Sequence, residues 1–409
     1  MRTLVAISLA SLIGAGLTGC DLNVANPNVI DASKFNPNTD GFTLSMSAQT
    51  NLFQGFQAVA LWGGTIADEI WTGAIHPQTL HINSRNFTGA DDINADIFGI
   101  ISLAVANNSN AVRALAGGSG AASDSNYARV SMNLGYAFEL MAEIMCASDV
   151  QKGPKLTDTQ LLDSAVTHFQ KAITVATAAS NPAMIQESQV GLARAYLQLG
   201  QNASAVTAAG QVDPGFVAYE INSPTPALSA TLGNIMVVTQ NLGQLVVPQL
   251  YRDLSDPRVG VDSTSGCNTT SGTPCIVQTK YTSYGDPIRL ASGLEAQFIA
   301  AEAQLHASGA TGPALTLIAS ERTAGNQPPY SGPTDPQSVL TELLNQRARE
   351  FWMEGKKLGD IRRNPTVSLA AILTDPVGAP FFGATGGTFG SNFCAPIPPE
   401  EIDANPNLQ

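Results

Sequence analysis

A run of short helical signals, each opened by a capping residue and closed by a glycine or proline turn, constrains this chain more than any other feature. Asp92 stands before apolar residues at Ile97, Ile101, Ala104, Val105, Val112 and Leu115. Asn126 stands before Tyr127, Val130, Leu134, Ala137, Met141 and Ile144. Thr157 to Gln160, "TDTQ", fits a capping box, in which the first side chain and the fourth satisfy each other's backbone amides. Behind it Leu161, Ala165, Phe169, Ala172 and Ala176 recur at the helical period. Asn181 and Pro182 open the next helix and Gly200 closes it. These spacings predict helices that must bury one apolar stripe each.

Two neighbouring helices, "LLDSAVTHFQKAI" and "GLARAYLQLG", look like tetratricopeptide (TPR) helices. Small residues such as Ala193 and Ala195 allow close approach, while Phe169 and Tyr196 fill the holes. One such hairpin cannot bury its face alone, so several must stack. A second pair recurs near residues 294 to 325, and Asp335 with Pro336 opens a last long helix carrying Leu340, Leu343, Leu344, Arg347 and Phe351, weakened at Gly355. Residues 213–290 are rich in Pro, Gly, Ser and Thr and read as an insertion. The expected fold is mostly α: a TPR-like helical-hairpin solenoid with an irregular, loop-rich lobe. Its helices would span roughly 42–62, 92–212 and 293–357, with a coil tail at 364–409.

The formal charge is −13 and charged residues make up only 13% of the chain. That balance argues against phosphate-backbone binding, which needs clustered cations. "MRTLVAISLASLIGAGLTGC" has the layout of a secretory signal, and its "LTGC" ending resembles a bacterial lipobox. The expectation is a signal peptide at 1–19, acylation of Cys20 and a flexible tether over 20–40, rich in Asn and Pro. Asp21 follows the lipid cysteine, and in enteric bacteria that position can favour inner-membrane retention. The four remaining cysteines allow three pairings. Cys267 and Cys275 flank a turn-rich loop, which favours that local bridge and leaves Cys146 with Cys394 by elimination. His76, His81, His168 and His306 are scattered, so no metal site and no cofactor are expected.

One segment stands apart. "NQRAREFWMEGKKLGDIRRNP", residues 345–365, gathers six of the chain's twenty Lys and Arg residues. Arg347, Arg349, Arg362 and Arg363 are interleaved with Glu350, Glu354 and Asp360, which predicts a mixed-charge structural network rather than a cationic face. Trp352 is expected to pack beneath the last helix. Together with the lipobox, the tether and the ending "APIPPEEIDANPNLQ", this segment resembles the SusD/RagB family of nutrient-binding outer-membrane lipoproteins. Arg347, Arg349, Glu350, Glu354, Gly355, Asp360, Arg362 and Arg363 fit that family's late-helix pattern. Pro396, Ile397, Pro398, Glu401, Ile402, Asn405, Pro406 and Asn407 fit its closing pattern.

The resemblance implies a lipid-anchored outer-membrane protein that faces the cell exterior as the lid of a SusC-like TonB-dependent β-barrel transporter. It would capture an oligosaccharide or a peptide and break no bond. The TPR side would face the transporter and the irregular side the ligand. Sugar sites use flat aromatic faces ringed by polar groups. Trp62, Asp68, Glu69 and Trp71 in "LWGGTIADEIW" and Tyr281, Tyr284 and Asp286 in "KYTSYGD" are the candidates, against the bland expectation that these aromatics are core and ordinary loop residues. "DDINAD" at 91–96 starts like a calcium loop but has Ile97 for the turn Gly and Leu103 for the closing Glu. "GGSGAAS" lacks the strand–helix context of a nucleotide loop. No placed nucleophile, base or carboxylate pair points to an enzyme. The rival reading is a lipid-anchored TPR scaffold that binds only proteins.

Overall fold

The computed structural model describes residues 35–72, 77–225, 232–263, 275–381 and 386–409. The expected signal peptide, Cys20 and most of the expected tether therefore lie outside the described residues. Helix α1 (Pro37–Ala58) starts earlier than the sequence suggested. Asn36 caps it by accepting from the Asn38 amide, 3.0 Å, with Pro37 at the first position. The helix then passes without a break through a π turn (Val59–Gly63) into Gly64–Ile66. After β1 (Trp71–Thr72) and α2 (Pro77–Asn83) come α3 (Asp92–Ala116), α4 (Ser125–Ile144), α5 (Asp158–Ala178), α6 (Pro182–Gln198) and α7 (Asn202–Ala209).

The capping box of α5 is present, with Thr157 and Gln160 bonded reciprocally. Asn181 caps α6 through the Met184 amide. Two caps sit one or two residues earlier than expected. Asp91, not Asp92, occupies the cap position of α3, and Asp124, not Asn126, caps α4 by accepting from the Asn126 amide, 2.8 Å.

Each of α3 to α7 packs on its predecessor, and α1 lies across α3 and α4. At the centre of the stack is the ring of Phe169. Gly135 of α4 and Gly191 of α6 lie against it, so a Cβ on Gly135 would come within 2.8 Å of the ring and one on Gly191 within 2.3 Å. Tyr136 meets the same ring edge-on at 4.8 Å. Gly191→Ala should therefore force the helices apart and cost about 1–3 kcal/mol. Gly99→Ala, in α3 with nothing within 4 Å of the new methyl, should gain about 0.5–1 kcal/mol through helix propensity. Urea midpoints of the two variants check the contrast, and equal shifts would refute the packing argument.

The chain then leaves the stack as β2 (Val217–Glu220) and comes back as β6 (Ile288–Ser292). The two pair antiparallel, with Tyr219 opposite Arg289 and Glu220 opposite Ile288. Between them lie α8 (Ile235–Asn241), β3 (Leu245–Val246), α9 (Gln249–Arg252), β4 (Val261–Ser263) and β5 (Ile276–Gln278). Strand β3 pairs with β1, and β4 with β5. The two short helices were not foreseen; Asn234 caps α8 by accepting from the Met236 amide, 3.0 Å. The helical stack resumes at once, because α10 (Gly293–Ser308) packs on α6 and α7. Helices α11 (Gly312–Ala324) and α12 (Pro336–Glu350) continue it, with Asp335 capping α12, and α13 (Lys357–Arg363) follows. Between α12 and α13 the backbone turns through left-handed conformations at Met353 and Gly355, so α12 ends five residues before that glycine.

The tail is only partly coil. Cys394 is bonded to Cys146, just past the end of α4. Beside it the Ala395 amide donates to Ile144 O, 2.7 Å, and the Cys146 amide to Ala395 O, 2.9 Å. A short helix α14 (Pro399–Ala404) follows. The closing Asn405 is buried and donates to Asp149 Oδ2 and Gly153 O. Cys275 is also disulfide-bonded, while Cys267 lies outside the described residues. Among the described residues no helix is long and apolar enough to cross a membrane.

Candidate ligand-binding cleft and the charge network behind it

The late-helix segment is the hub of a buried ionic network. Arg347 lies 2.8 Å from Asp360 and stacks over the rings of Phe351 and Phe298. Arg363 clamps Glu302 at 2.7 and 2.8 Å and reaches Asp360 at 2.7 Å. Arg362 donates to the carbonyls of Ala142, Glu143 and Met145 at the C-terminal end of α4, where a cation meets the negative pole of the helix. Arg349 pairs with Asp256 at 3.3 Å. Arg194 of α6 bridges Glu295 of α10 at 2.6 Å and Glu139 of α4 at 3.5 Å. Trp352 is fully buried, stacked on Tyr251 at 5.6 Å, and its indole N–H donates to Glu69 O, 2.8 Å.

Burial pushes Glu354 up, but Lys280, Arg289 and Lys356 outweigh it and hold its carboxyl at about 2. Burial pulls Lys356 and Lys357 down to about 8, against nearby carboxylates that include Glu295 and Glu69. A second set of carboxyls lacks enough cations. Burial raises Glu69 to about 7, Glu321 to about 7 and Glu220 to about 8. Between roughly pH 4.5 and 8 the folded protein keeps these protons while the unfolded chain has released them, so stability falls as pH rises through that window. Below the ordinary carboxylate range the sign reverses, because protonation of Glu354 removes its ion pairs. Unfolding midpoints between pH 3 and 9 should peak near pH 5, and Glu220→Gln should flatten the decline above it. A midpoint that climbs steadily from pH 5 to 8 would contradict this assignment.

Four of the residues expected to touch ligand are interior. Trp71 donates its indole N–H to Asp68, 3.1 Å, and packs on Phe381 and Phe389. Asp68 is fully buried against Arg85, whose guanidinium sits over Phe389 and Phe393. Glu69 accepts from the Met353 amide. Tyr281 is buried, its hydroxyl donating to Met353 O at 3.3 Å. Trp62 and Tyr284 are half-buried against the main core. For Glu69 and Tyr281 the cover is the turn after α12; for Asp68 and Trp71 it is the tail. Thr374 bonds Ala67 O, the Asp375 amide bonds Asp68, and Arg85 donates to Gly390 O. An irregular segment that looked like an open surface is thus roofed by residues three hundred positions away.

The open surface lies on the other side of the "KYTSYGD" loop. A cleft of about 510 Å³ is bounded by β2, β6, that loop and the end of α12. Tyr219 lies on its wall, half-exposed at 49%. Lys280, Arg289, Glu350 and Asp286 line it as well. Arg289 holds Glu350 at 3.0 Å and Glu354 at 2.9 Å, and Lys280 holds Glu354 at 2.7 Å. Asp286 turns back on its own loop, accepting from the Thr282 and Ser283 amides at 2.6 and 2.8 Å. Sequence reasoning missed Tyr219, Lys280 and Arg289. In β2 the usual polarity is inverted: Val217 and Tyr219, like Ile221 just beyond the strand, are exposed while Glu220 is buried. A residue-by-residue alternation cannot reveal which side is covered. The cleft has the makeup of a sugar site, one aromatic face ringed by charged donors and acceptors. Among the described residues no group of three or more His, Cys, Asp or Glu side chains is placed to hold a metal.

No family model matches the sequence, and no curated protein matches it. Solved structures do. Surface glycan-binding protein A from Bacteroides uniformis superposes with a TM-score of 0.68 at 12% identity, over 91% of this chain and 99% of that one. A SusD superfamily protein from Parabacteroides distasonis gives 0.66 at 11% identity, over 92% and 99%. A SusD-like carbohydrate-binding protein from Bacteroides fragilis gives 0.64 at 14% identity, over 89% and 98%. These superpositions cover nine-tenths of this chain and nearly all of each other chain, so the chain shares the fold of these SusD-superfamily structures.

Proposed function

We propose that this protein is a surface glycan-binding lipoprotein. It captures an oligosaccharide in the cleft beside Tyr219 and delivers it to a TonB-dependent β-barrel transporter, with no bond broken. The observation that carries this reading is the cleft itself, whose half-exposed tyrosine is flanked by Lys280, Arg289 and Glu350 on a rigid ionic base. An aromatic face with fixed hydrogen-bonding groups around it suits a pyranose ring. The lipobox at Cys20 and the likeness to proteins named for glycan or carbohydrate binding support it. In this reading Trp62 and Tyr284, half-buried, stay outside the contact surface.

The test has two arms. The C-terminally tagged protein is pulled down in detergent from native membranes, and the purified protein is screened against glycans and peptides together with Tyr219→Ala. Co-purification of a large β-barrel, with glycan binding lost in the variant, is the expected result. If soluble proteins co-purify instead and no glycan binds, the TPR scaffold reading replaces this one. Peptide binding without glycan binding would keep the delivery role and change the cargo.

A further inference from the structure

A second hollow lies behind β2. It is a groove of about 220 Å³ between α1 and the chain at the end of that strand. Successive strand residues point to opposite faces, so Tyr219 lines the cleft and Glu220 the groove. The groove walls are apolar: Phe53 of α1, Leu232, and Ile221, which is 78% exposed. The floor is polar. Gln57 of α1 donates to Glu220 Oε1 and to Asn222 Oδ1, the latter at 2.8 Å, and accepts from the Ile235 amide, 3.0 Å. Asn222 in turn donates to Asp286 O, 3.0 Å. The floor is thus held from α1, β2 and α8 together.

Glu220 is the odd member. It is fully buried, and its Oε2 has no hydrogen-bond partner among the described residues. The buried carboxylates Glu295, Glu302 and Glu354 each have a cation beside them. Among the described residues no Lys, Arg or His lines this groove, and Glu220 is its one ionisable side chain. Burial raises Glu220 to about 8, and no counter-charge brings it down. Tyr281, which feels Glu220, is itself pushed well above its ordinary value by burial and stays neutral.

An ammonium supplies what is missing. It has three donors and no acceptor, and its charge favours the ionised form of a carboxyl beside it. Glu220 Oε2 and the second lone pair of Asn222 Oδ1 offer acceptors. An aliphatic stem behind the ammonium would leave water along Phe53, Ile221 and Leu232. We propose that this groove is a second binding site, taking an aliphatic primary amine with its ammonium on Glu220 and its stem between Phe53 and Ile221. The site is separate from the cleft beside Tyr219, so glycan capture stands or falls on its own test.

Calorimetric titration of the full chain in detergent, at about pH 7, is the experiment. The probes are pentylammonium, its uncharged counterpart 1-pentanol, and glucosamine, an ammonium on a hydroxylated ring. Pentylammonium should bind about tenfold or more tighter than either. Titration in two buffers of different ionisation enthalpy counts protons. About one should be released per amine bound, because the carboxyl ionises as the ammonium arrives. Glu220→Gln should weaken pentylammonium about tenfold and abolish the proton release. The unfolding midpoint of that variant near pH 5, where Glu220 is itself uncharged, should stay close to that of the wild type. Ile221→Ser should weaken pentylammonium severalfold and keep the proton release. If 1-pentanol binds as tightly as pentylammonium, if the amine binds without releasing a proton, or if no amine binds, Glu220 receives no ammonium and the proposal is wrong. Tighter binding of glucosamine than of pentylammonium would overturn the aliphatic stem.

Discussion

Replacing Arg194 by methionine should lower the unfolding free energy by about 3–5 kcal/mol. The guanidinium is 2% exposed, 2.6 Å from Glu295 and 3.5 Å from Glu139, and it also donates to Leu290 O. Glu139 already sits well above the ordinary carboxylate range, because burial outweighs Arg194 and nearby Glu143 and Glu295 add repulsion. Without Arg194 the three carboxyls would share a dry site with less compensation. Methionine fills much of the volume, so the loss measures charge more than cavity. Urea denaturation of the single variant, and of Arg194→Met with Glu139→Gln, gives the answer. The double variant should recover part of the loss, because one uncompensated carboxyl is gone. A single-variant loss below about 1 kcal/mol would mean that the buried network relaxes or hydrates, contrary to the usual cost of stranding a buried charge.

Removing the Cys146–Cys394 disulfide should cost a similar amount, about 2–5 kcal/mol. The bond joins positions 248 residues apart, and in the chain-entropy model the stabilisation grows with the logarithm of the closed loop. The bond also fixes the segment that roofs Asp68, Arg85 and Trp71, so its loss should be felt there as well. The paired Cys146→Ser/Cys394→Ser variant should show a lower melting temperature by calorimetry. Limited proteolysis should cut it first between residues 373 and 393. An unchanged melting temperature would show that the Ala395 backbone bonds and the buried Asn405 hold the tail without the covalent link.

The helices were readable because their information is local. A capping box at Thr157, a proline behind Asn181 and an Asp–Pro start at 335 each determine a helix start from a few adjacent residues. The mixed charges of 345–365 were readable as a network for the same kind of reason, since Arg and Glu alternate along it. The partners were not. Glu295, Glu302 and Arg289 come from distant helices and strands, and nothing in residues 345–365 names them. The burial of one candidate stretch was not legible for a related reason. Asp68, Glu69 and Trp71 lie in an irregular stretch, yet Arg85, Asp375 and Gly390 converge on it from elsewhere. In "KYTSYGD" Tyr281 is buried, while Lys280 is half-buried at the edge of the cleft, bonded to Trp352 O and Glu354. Only the pairing of β2 with β6 shows which face of Tyr219 water can reach.

The closed neck of the lobe has an evolutionary consequence. Because β2 and β6 run side by side and α10 packs directly on α6 and α7, the helical stack is continuous across the base of the lobe. Exposed loops inside that boundary can change, but Tyr251, Asp256, Arg258 and Lys280 reach back to Trp352, Arg349, Glu321 and Glu354 and are part of the scaffold. The molecule is in effect a fixed chassis with a lobe whose rim is exchangeable and whose root is not. Diversification would then be cheapest at the exposed positions of residues 221–287, and slowest in the ionic hub, to which Asp256, Arg258 and Lys280 of the lobe itself belong.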